Sequence, residues 1–118
     1  MPSEEVTYTG SKDPSIWGPQ LWSVLHSLPE SAKSLEKLKN CLQNLCLPCQ
    51  ACQSHYDEYL SENPASLIGT RTEAFDWIFN LHNEVNTRLG KPRVERKELI
   101  QRHRADAVGK EVISKVFA

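Results

Sequence analysis

Cysteine is absent from residues 1–40 and 53–118 of this 118-residue chain. All four thiols, Cys41, Cys46, Cys49 and Cys52, fall within one twelve-residue stretch. No intramolecular disulfide can therefore close a long loop, and a disulfide-stapled secreted scaffold is excluded. Long apolar runs are missing too, so no segment reads as a membrane-spanning helix. Opposite charges nearly cancel, with 14 basic against 15 acidic side chains for a net −1, so overall charge selects no partner. The first fifteen residues, MPSEEVTYTGSKDPS, lack the apolar block of a signal peptide and carry acids, unlike a transit peptide. The expectation is a compartment that keeps thiols reduced, where clustered cysteines serve redox chemistry, metal binding or a bond to a second chain.

Strand-like alternation is also lacking, and helical periodicity fills its place. Residues 1–13 read as a flexible arm and 14–118 as a single domain. Asp13-Pro14 is an N-cap followed by proline at the first helical position. Trp17, Leu21, Val24, Leu25 and Leu28 then recur at helical spacing, with Pro29 expected to stop the segment and Gly18-Pro19 able to delay it. Ser31 is the expected cap of a second helix striped by Leu35, Leu38, Leu42 and Leu45, ended by Leu47-Pro48. Pro48 suits the first turn of a third helix carrying Cys49, Cys52, His55, Tyr56, Tyr59 and Leu60, closed by Asn63-Pro64. Thr70 or Thr72 caps a fourth, with Phe75, Ile78, Phe79, His82, Val85 and Leu89 on its stripe and Gly90 and Pro92 beyond its end. Leu99 to Val116 supports a shorter fifth helix. The fold class is all-α, a four-helix bundle with an additional fifth helix.

The strongest chemical signal is Leu47-Pro48-Cys49-Gln50-Ala51-Cys52. The first cysteine of such a pair at a helix start feels the helix dipole and unpaired N–H groups, which lower its pKa and make it the attacking thiolate. Cys49 is thus the exchange sulfur and Cys52, one turn deeper, its partner. A dithiol still needs a redox partner or cofactor to pass two electrons to oxygen. The competing reading is zinc, since Cys46, Cys49, Cys52 and His55 are four ligand types. Those ligands lie within ten residues on one segment, where three-residue steps drift around a helix axis. A non-enzymatic zinc-binding or disulfide-linked helical interaction module is the alternative to an enzyme.

Two further segments carry unusual polar and aromatic groups. His82, Asn83, Val85 and Asn86 lie on or beside one helical stripe, and two asparagines there need partners. A planar polar ligand between helices would supply them. Trp22 and His26, four apart on one face of the first helix, read either as a core tryptophan with a capped histidine or as an aromatic wall and a hydrogen-bond donor for the same ligand.

WGPQLWSVLH, LPCQACQSHY and LHNEVNTRLGKP together resemble the FAD-linked sulfhydryl oxidases of the Erv/ALR type, in that family's order, over residues 17 to about 92. The resemblance implies FAD at the mouth of the bundle, with Cys52 against the flavin as the charge-transfer thiolate and Cys49 exchanging disulfides with substrate. It implies cofactor contacts from Gly18, Trp22 and His26, from His55 and Tyr56, and from Phe79, His82, Asn83, Val85, Asn86, Leu89 and Lys91. Lys91 and Arg88 suit the diphosphate by charge. It implies a dithiol protein substrate or thioredoxin-like carrier, oxygen as acceptor, hydrogen peroxide as product and a homodimer. No metal, nucleic acid or membrane is called for.

The chain departs from the family pattern in lacking a second, shuttle CxxC and the structural disulfide expected near Ser61 and Phe79. Its tail has Phe117 as its only aromatic. Such short versions resemble those of large cytoplasmic DNA viruses, so host cytoplasm or virion is expected in preference to the mitochondrial intermembrane space. Cys41 and Cys46 read as half-buried structural thiols, links between subunits, or electron acceptors from substrate. The Leu35-Leu38-Leu42-Leu45 stripe serves equally as dimer face or core. Eight basic residues against three acidic ones from Arg88 to Lys110 carry no nucleic-acid motif, and a solvated face is the simpler reading.

Overall fold

A computed structural model describes residues 12–101. Its elements are α1 (Pro14–Ser31), α2 (Leu35–Gln43), α3 (Gln50–Glu62), a 3-10 turn (Ala65–Leu67) and α4 (Arg71–Arg88). Residues 96–101 are again helical. Among the described residues there is no strand. The all-α bundle is thus the architecture observed. Most of the expected N-terminal arm and of the fifth helix lies outside the described residues.

Local chemistry sets the helix starts. Asp13 caps α1, its carboxylate accepting from the Ser15 N–H at 3.0 Å. Neither Gly18-Pro19 nor Pro29 has the expected effect, because α1 runs unbroken through both prolines. Pro19 removes the hydrogen bond to the carbonyl of Ser15, which is exposed and open to water. Pro29 falls in the last turn, where Arg71 Nη1 donates to the Pro29 and Ala32 carbonyls at 3.0 and 2.9 Å. Arg71 thereby closes the C-terminal end of α1 from the start of α4.

Ser34, not Ser31, caps α2, accepting from the Lys37 N–H at 3.1 Å. Ser31 is still helical and its hydroxyl turns back to the Ser27 carbonyl. Helix α2 also stops at Gln43, before Leu47-Pro48, so Leu45 lies past its end. Pro48 precedes α3 rather than opening its first turn, since the cap is Cys49 itself. Thr70 caps α4 by accepting from the Glu73 N–H at 3.0 Å, while Glu73 accepts from the Gly69 N–H. At the other end Gly90 takes the left-handed φ of 71°. Its N–H bonds the Thr87 carbonyl and the Lys91 N–H bonds that of Asn86, the paired closure that glycine permits.

The core joins Leu25 of α1, Leu38 and Leu42 of α2, Tyr56 and Tyr59 of α3, and Ala74, Trp77, Ile78 and Leu81 of α4. Leu38 and Leu42 are fully buried, so the α2 stripe is core within one chain. On α4 the core face is turned from the expected stripe: Ala74, Trp77, Ile78 and Leu81 are buried while Leu89 is exposed. His82, Val85 and Leu89 occupy the adjoining face, which borders a cavity. Trp77 locks α4 to α3, donating to the Asn63 carbonyl at 2.9 Å while its own carbonyl accepts from the Tyr59 hydroxyl. The Tyr59 and Trp77 rings meet edge to face at 5.1 Å.

Candidate active site

Cys49 stands at the N-terminus of α3 with its sulfur 3.3 Å from the Cys52 N–H, which donates to it. The sulfur therefore occupies the place of a capping oxygen, where backbone N–H groups and the helix dipole favour negative charge. Its thiol is held below its ordinary pKa by the hydrogen bond from the Cys52 side chain and then by the Cys52 and Ala51 N–H groups. Cys52 is driven the other way, up to about 11, by burial and then by the hydrogen bond and charge of Cys49. One thiol is thus prepared as attacking and leaving group, and the other is kept protonated until its partner is consumed. All four cysteines are free thiols here.

Behind Cys52 lies a cavity of about 880 Å³ between α1, α3 and α4. On α3 its lining includes Cys52, His55, Tyr56 and Tyr59, the i, i+3, i+4, i+7 face of one helix, with Ala51 beside them. From α1 come Gly18, Leu21, Trp22, Leu25 and His26, and from α4 His82, Val85 and Asn86. Leu89, Lys91 and Pro92, past the end of α4, also line it. Trp22 and His82 stack at 4.0 Å with planes 8° apart, and His26 Nε2 meets His82 Nδ1 at 2.8 Å. One wall is therefore flat, aromatic and edged with imidazole nitrogen. Tyr56 has its phenol pKa raised by burial and donates to the Leu42 carbonyl, so its hydroxyl is committed to the fold.

Of the residues expected at the site, Cys52, Gly18, Trp22, His26, His55, Tyr56, His82, Val85, Asn86, Leu89 and Lys91 all line this one cavity, although they come from three helices and the segment after α4. Cys49, Phe79 and Asn83 do not. Cys49 sits at the rim as the cap. Phe79 is half-buried one turn before the cavity face of α4.

Asn83 corrects a sequence expectation. Its buried amide is satisfied by the chain itself, accepting from the Val94 N–H at 2.7 Å and donating to the Val94 carbonyl at 3.3 Å. Asn86 likewise donates to the Pro92 carbonyl at 3.2 Å. The two asparagines bind the 92–94 segment across the end of α4, holding Lys91 and Pro92 at the cavity. Cys41 and Cys46 are both exposed, so neither is the half-buried structural thiol first considered. Among the described residues no group of three or more His, Cys, Asp or Glu is placed to hold a metal ion.

Sequence reasoning missed Tyr59, Leu45 and Leu47 as lining residues. Tyr59 was detectable by its seven-residue step from Cys52. The two leucines were not, because their segment leaves the helical period just before Pro48.

These features define a helical-bundle dithiol protein whose redox pair borders a ligand-sized cavity. A sequence model of the Erv1/Alr family matches residues 19–104. The chain is 34% identical over 103 residues to a protein of Invertebrate iridescent virus 3 named as a FAD-linked sulfhydryl oxidase, covering 80% of this chain and 70% of that one. It is 32% identical over 85 residues to the FAD-linked sulfhydryl oxidase of African swine fever virus, covering 64% and 69%. To a FAD-linked sulfhydryl oxidase of Arabidopsis thaliana it is 34% identical over 92 residues, covering 70% and 47%. No solved structure matches it. The chain belongs to the Erv1/Alr family.

Proposed function

We propose that the chain is a FAD-dependent sulfhydryl oxidase that converts two thiols and O2 into a disulfide and H2O2. The observation that carries this reading is the opening of the Cys49–Cys52 helix start onto an 880 Å³ cavity walled by stacked Trp22 and His82. The cavity fits the cofactor on its own chemistry. Its volume is in the range of about 300–1,000 Å³ usual for ligand pockets. Trp22 and His82 offer a flat face to a planar ring, His26 and His55 offer nitrogen hydrogen-bonding groups, and Lys91 offers positive charge to a diphosphate, beside Arg88 paired with Glu84 at 3.3 Å. FAD held there would supply the two-electron acceptor that a dithiol lacks, with oxygen as the final oxidant.

The chain's own residues handle the thiol exchange. With Cys49 and Cys52 joined, a substrate thiolate attacks the half-exposed Cys49 sulfur, forming a mixed disulfide and releasing Cys52 as thiolate. The second substrate thiol then displaces Cys49, and the product leaves as a disulfide. Cys49 is the better leaving group because its thiolate is stabilised at the helix start. Cys52, lining the cavity, is the sulfur from which the electrons pass on.

The same reading includes a dithiol protein or thioredoxin-like carrier as substrate, a viral, cytoplasmic setting, and a homodimer. Viral relatives support the setting. Ile16 and Val24, both more than half exposed and eight residues apart on α1, support a self-association face. The test is direct. Purified protein should be yellow, release FAD on denaturation and consume oxygen with dithiothreitol. A folded, colourless protein that takes up no added FAD contradicts the proposal.

A further inference from the structure

The run Cys46-x-x-Cys49-x-x-Cys52 gives Cys49 two cysteines at identical spacing. The backbone treats them differently. From Cys49, the cap, to Cys52 the chain winds through the first turn of α3, which brings the Cys52 N–H to 3.3 Å from the Cys49 sulfur. Residues three apart across one turn are neighbours, the arrangement in which a short-loop disulfide forms. From Leu45 to Leu47 there is neither helix nor turn, and side chains alternate between half-buried and exposed through Gln50. Such alternation is the signature of extended chain. Pro48 favours it by steering Leu47 away from helical backbone. The chain then bends at Pro48 and Cys49 before α3 begins, so Cys46 lies outside the helical turn that joins Cys49 to Cys52, and its sulfur lies 3.7 Å from the Asn44 carbonyl.

One side chain holds this segment. Gln53 Oε1 accepts from the Leu47 N–H at 2.7 Å, and its Nε2 donates to the Leu45 carbonyl at 3.2 Å. The amide therefore pairs with residues 45 and 47 as a neighbouring strand would. Nε2 also donates to Asp57 Oδ1 at 3.0 Å, which sets the direction in which the amide faces. Leu45 and Leu47 are turned to the cavity, while Cys46 between them is exposed with its sulfur toward the Asn44 carbonyl.

We propose that Gln53 is a positioning residue that makes Cys52, and not Cys46, the partner of Cys49, by holding residues 45–47 extended with Cys46 outside. The inference rests on Cys49–Cys52 being the working disulfide. With the clamp released, the Cys46 thiolate attacks the Cys49 sulfur. A Cys46–Cys49 bond forms, the Cys49–Cys52 bond breaks and Cys52 leaves as thiolate, taking the proton that Cys46 gave up. No oxidant is consumed, and the new disulfide no longer includes the sulfur that borders the cavity.

Peptide mapping of the oxidised protein, trapped in acid, tests this with and without FAD. The unaltered chain should contain only Cys49–Cys52. Gln53→Ala should contain a substantial fraction of Cys46–Cys49 and turn over dithiothreitol several-fold more slowly. Adding Cys46→Ser to Gln53→Ala should remove that isomer and restore turnover, which a general loss of structure would not allow. Asp57→Asn, which keeps Gln53 but removes the negative charge that orients its amide, should give a smaller share of the same isomer. Any other pattern in Gln53→Ala, whether no isomer or a loss of turnover that Cys46→Ser leaves in place, overturns the inference. Absence of Cys49–Cys52 from the unaltered chain would instead overturn the functional reading beneath it.

Discussion

The opposed ionisation of the two active-site thiols predicts a measurable order of reactivity. Cys52, with a pKa of about 11, carries about one thiolate in a thousand at roughly pH 8. Cys49 lies below its ordinary value of 9.0 and so carries more than about one in ten at the same pH. The ratio of thiolates is therefore about a hundredfold or greater. A more basic thiolate is intrinsically more nucleophilic, which recovers roughly half of that gap on a logarithmic scale. Cys49 should then react with iodoacetamide about tenfold faster than Cys52 or better in the reduced protein, and its greater access adds to this. The assay is timed alkylation across pH followed by mass mapping of both cysteine peptides. Cys49 labelling should rise and level off at a lower pH than ordinary thiols, since a depressed pKa brings the thiolate forward on the pH axis. Cys52 labelling should still be climbing well above that point. Cys52→Ala removes the side-chain hydrogen bond that does most to hold the Cys49 pKa down, so the Cys49 midpoint should move up toward 9.0. Equal labelling, or Cys52 first, would refute the helix-start account of which sulfur exchanges.

Other perturbations report on the cavity and the frame that holds it. Cys49→Ser and Cys52→Ser should each reduce dithiol-driven oxygen uptake to background while FAD stays bound, read by an oxygen electrode beside a visible spectrum. Trp22→Ala removes the ring stacked on His82 at 4.0 Å and should weaken FAD binding at least tenfold, about 1.4 kcal/mol, by equilibrium titration. Asn83→Ala leaves the Val94 N–H without its acceptor and should cost about 1–3 kcal/mol in urea unfolding. It should also loosen FAD by freeing the segment that holds Lys91. Leu42→Ala, at a position with no exposed surface, should cost about 2–5 kcal/mol without altering the Cys49 labelling profile.

Features written in a few neighbouring residues were legible before the fold was seen. Asp13-Pro14 opens α1, Gly90 closes α4, and Cys49-x-x-Cys52 marks the redox pair because capping and dipole effects act within one turn. Features decided by distant partners were not. Pro29 does not stop α1, because Arg71, far along the chain, satisfies the carbonyls at its end. Asn83 signalled an unmet polar demand, but its partner is Val94, eleven residues away, so the demand is met by the chain rather than by a ligand. The α4 stripe was misplaced because that helix has two apolar neighbours, a packed core and a cavity, and periodicity alone does not tell them apart. Cys46 and Cys52 are equivalent by spacing from Cys49, and the non-helical backbone of residues 45–47, held by Gln53, sets Cys46 apart from Cys52 on α3.

Electrons from a dithiol are proposed to reach bound FAD through Cys49 and Cys52. Anaerobic stopped-flow mixing with dithiothreitol, following the flavin's blue absorbance, measures that path without involving oxygen. All the bound flavin should bleach rapidly in the unaltered protein and none on that timescale in Cys49→Ser or Cys52→Ser. Bleaching at an unchanged rate in either variant would show that the electrons take another path.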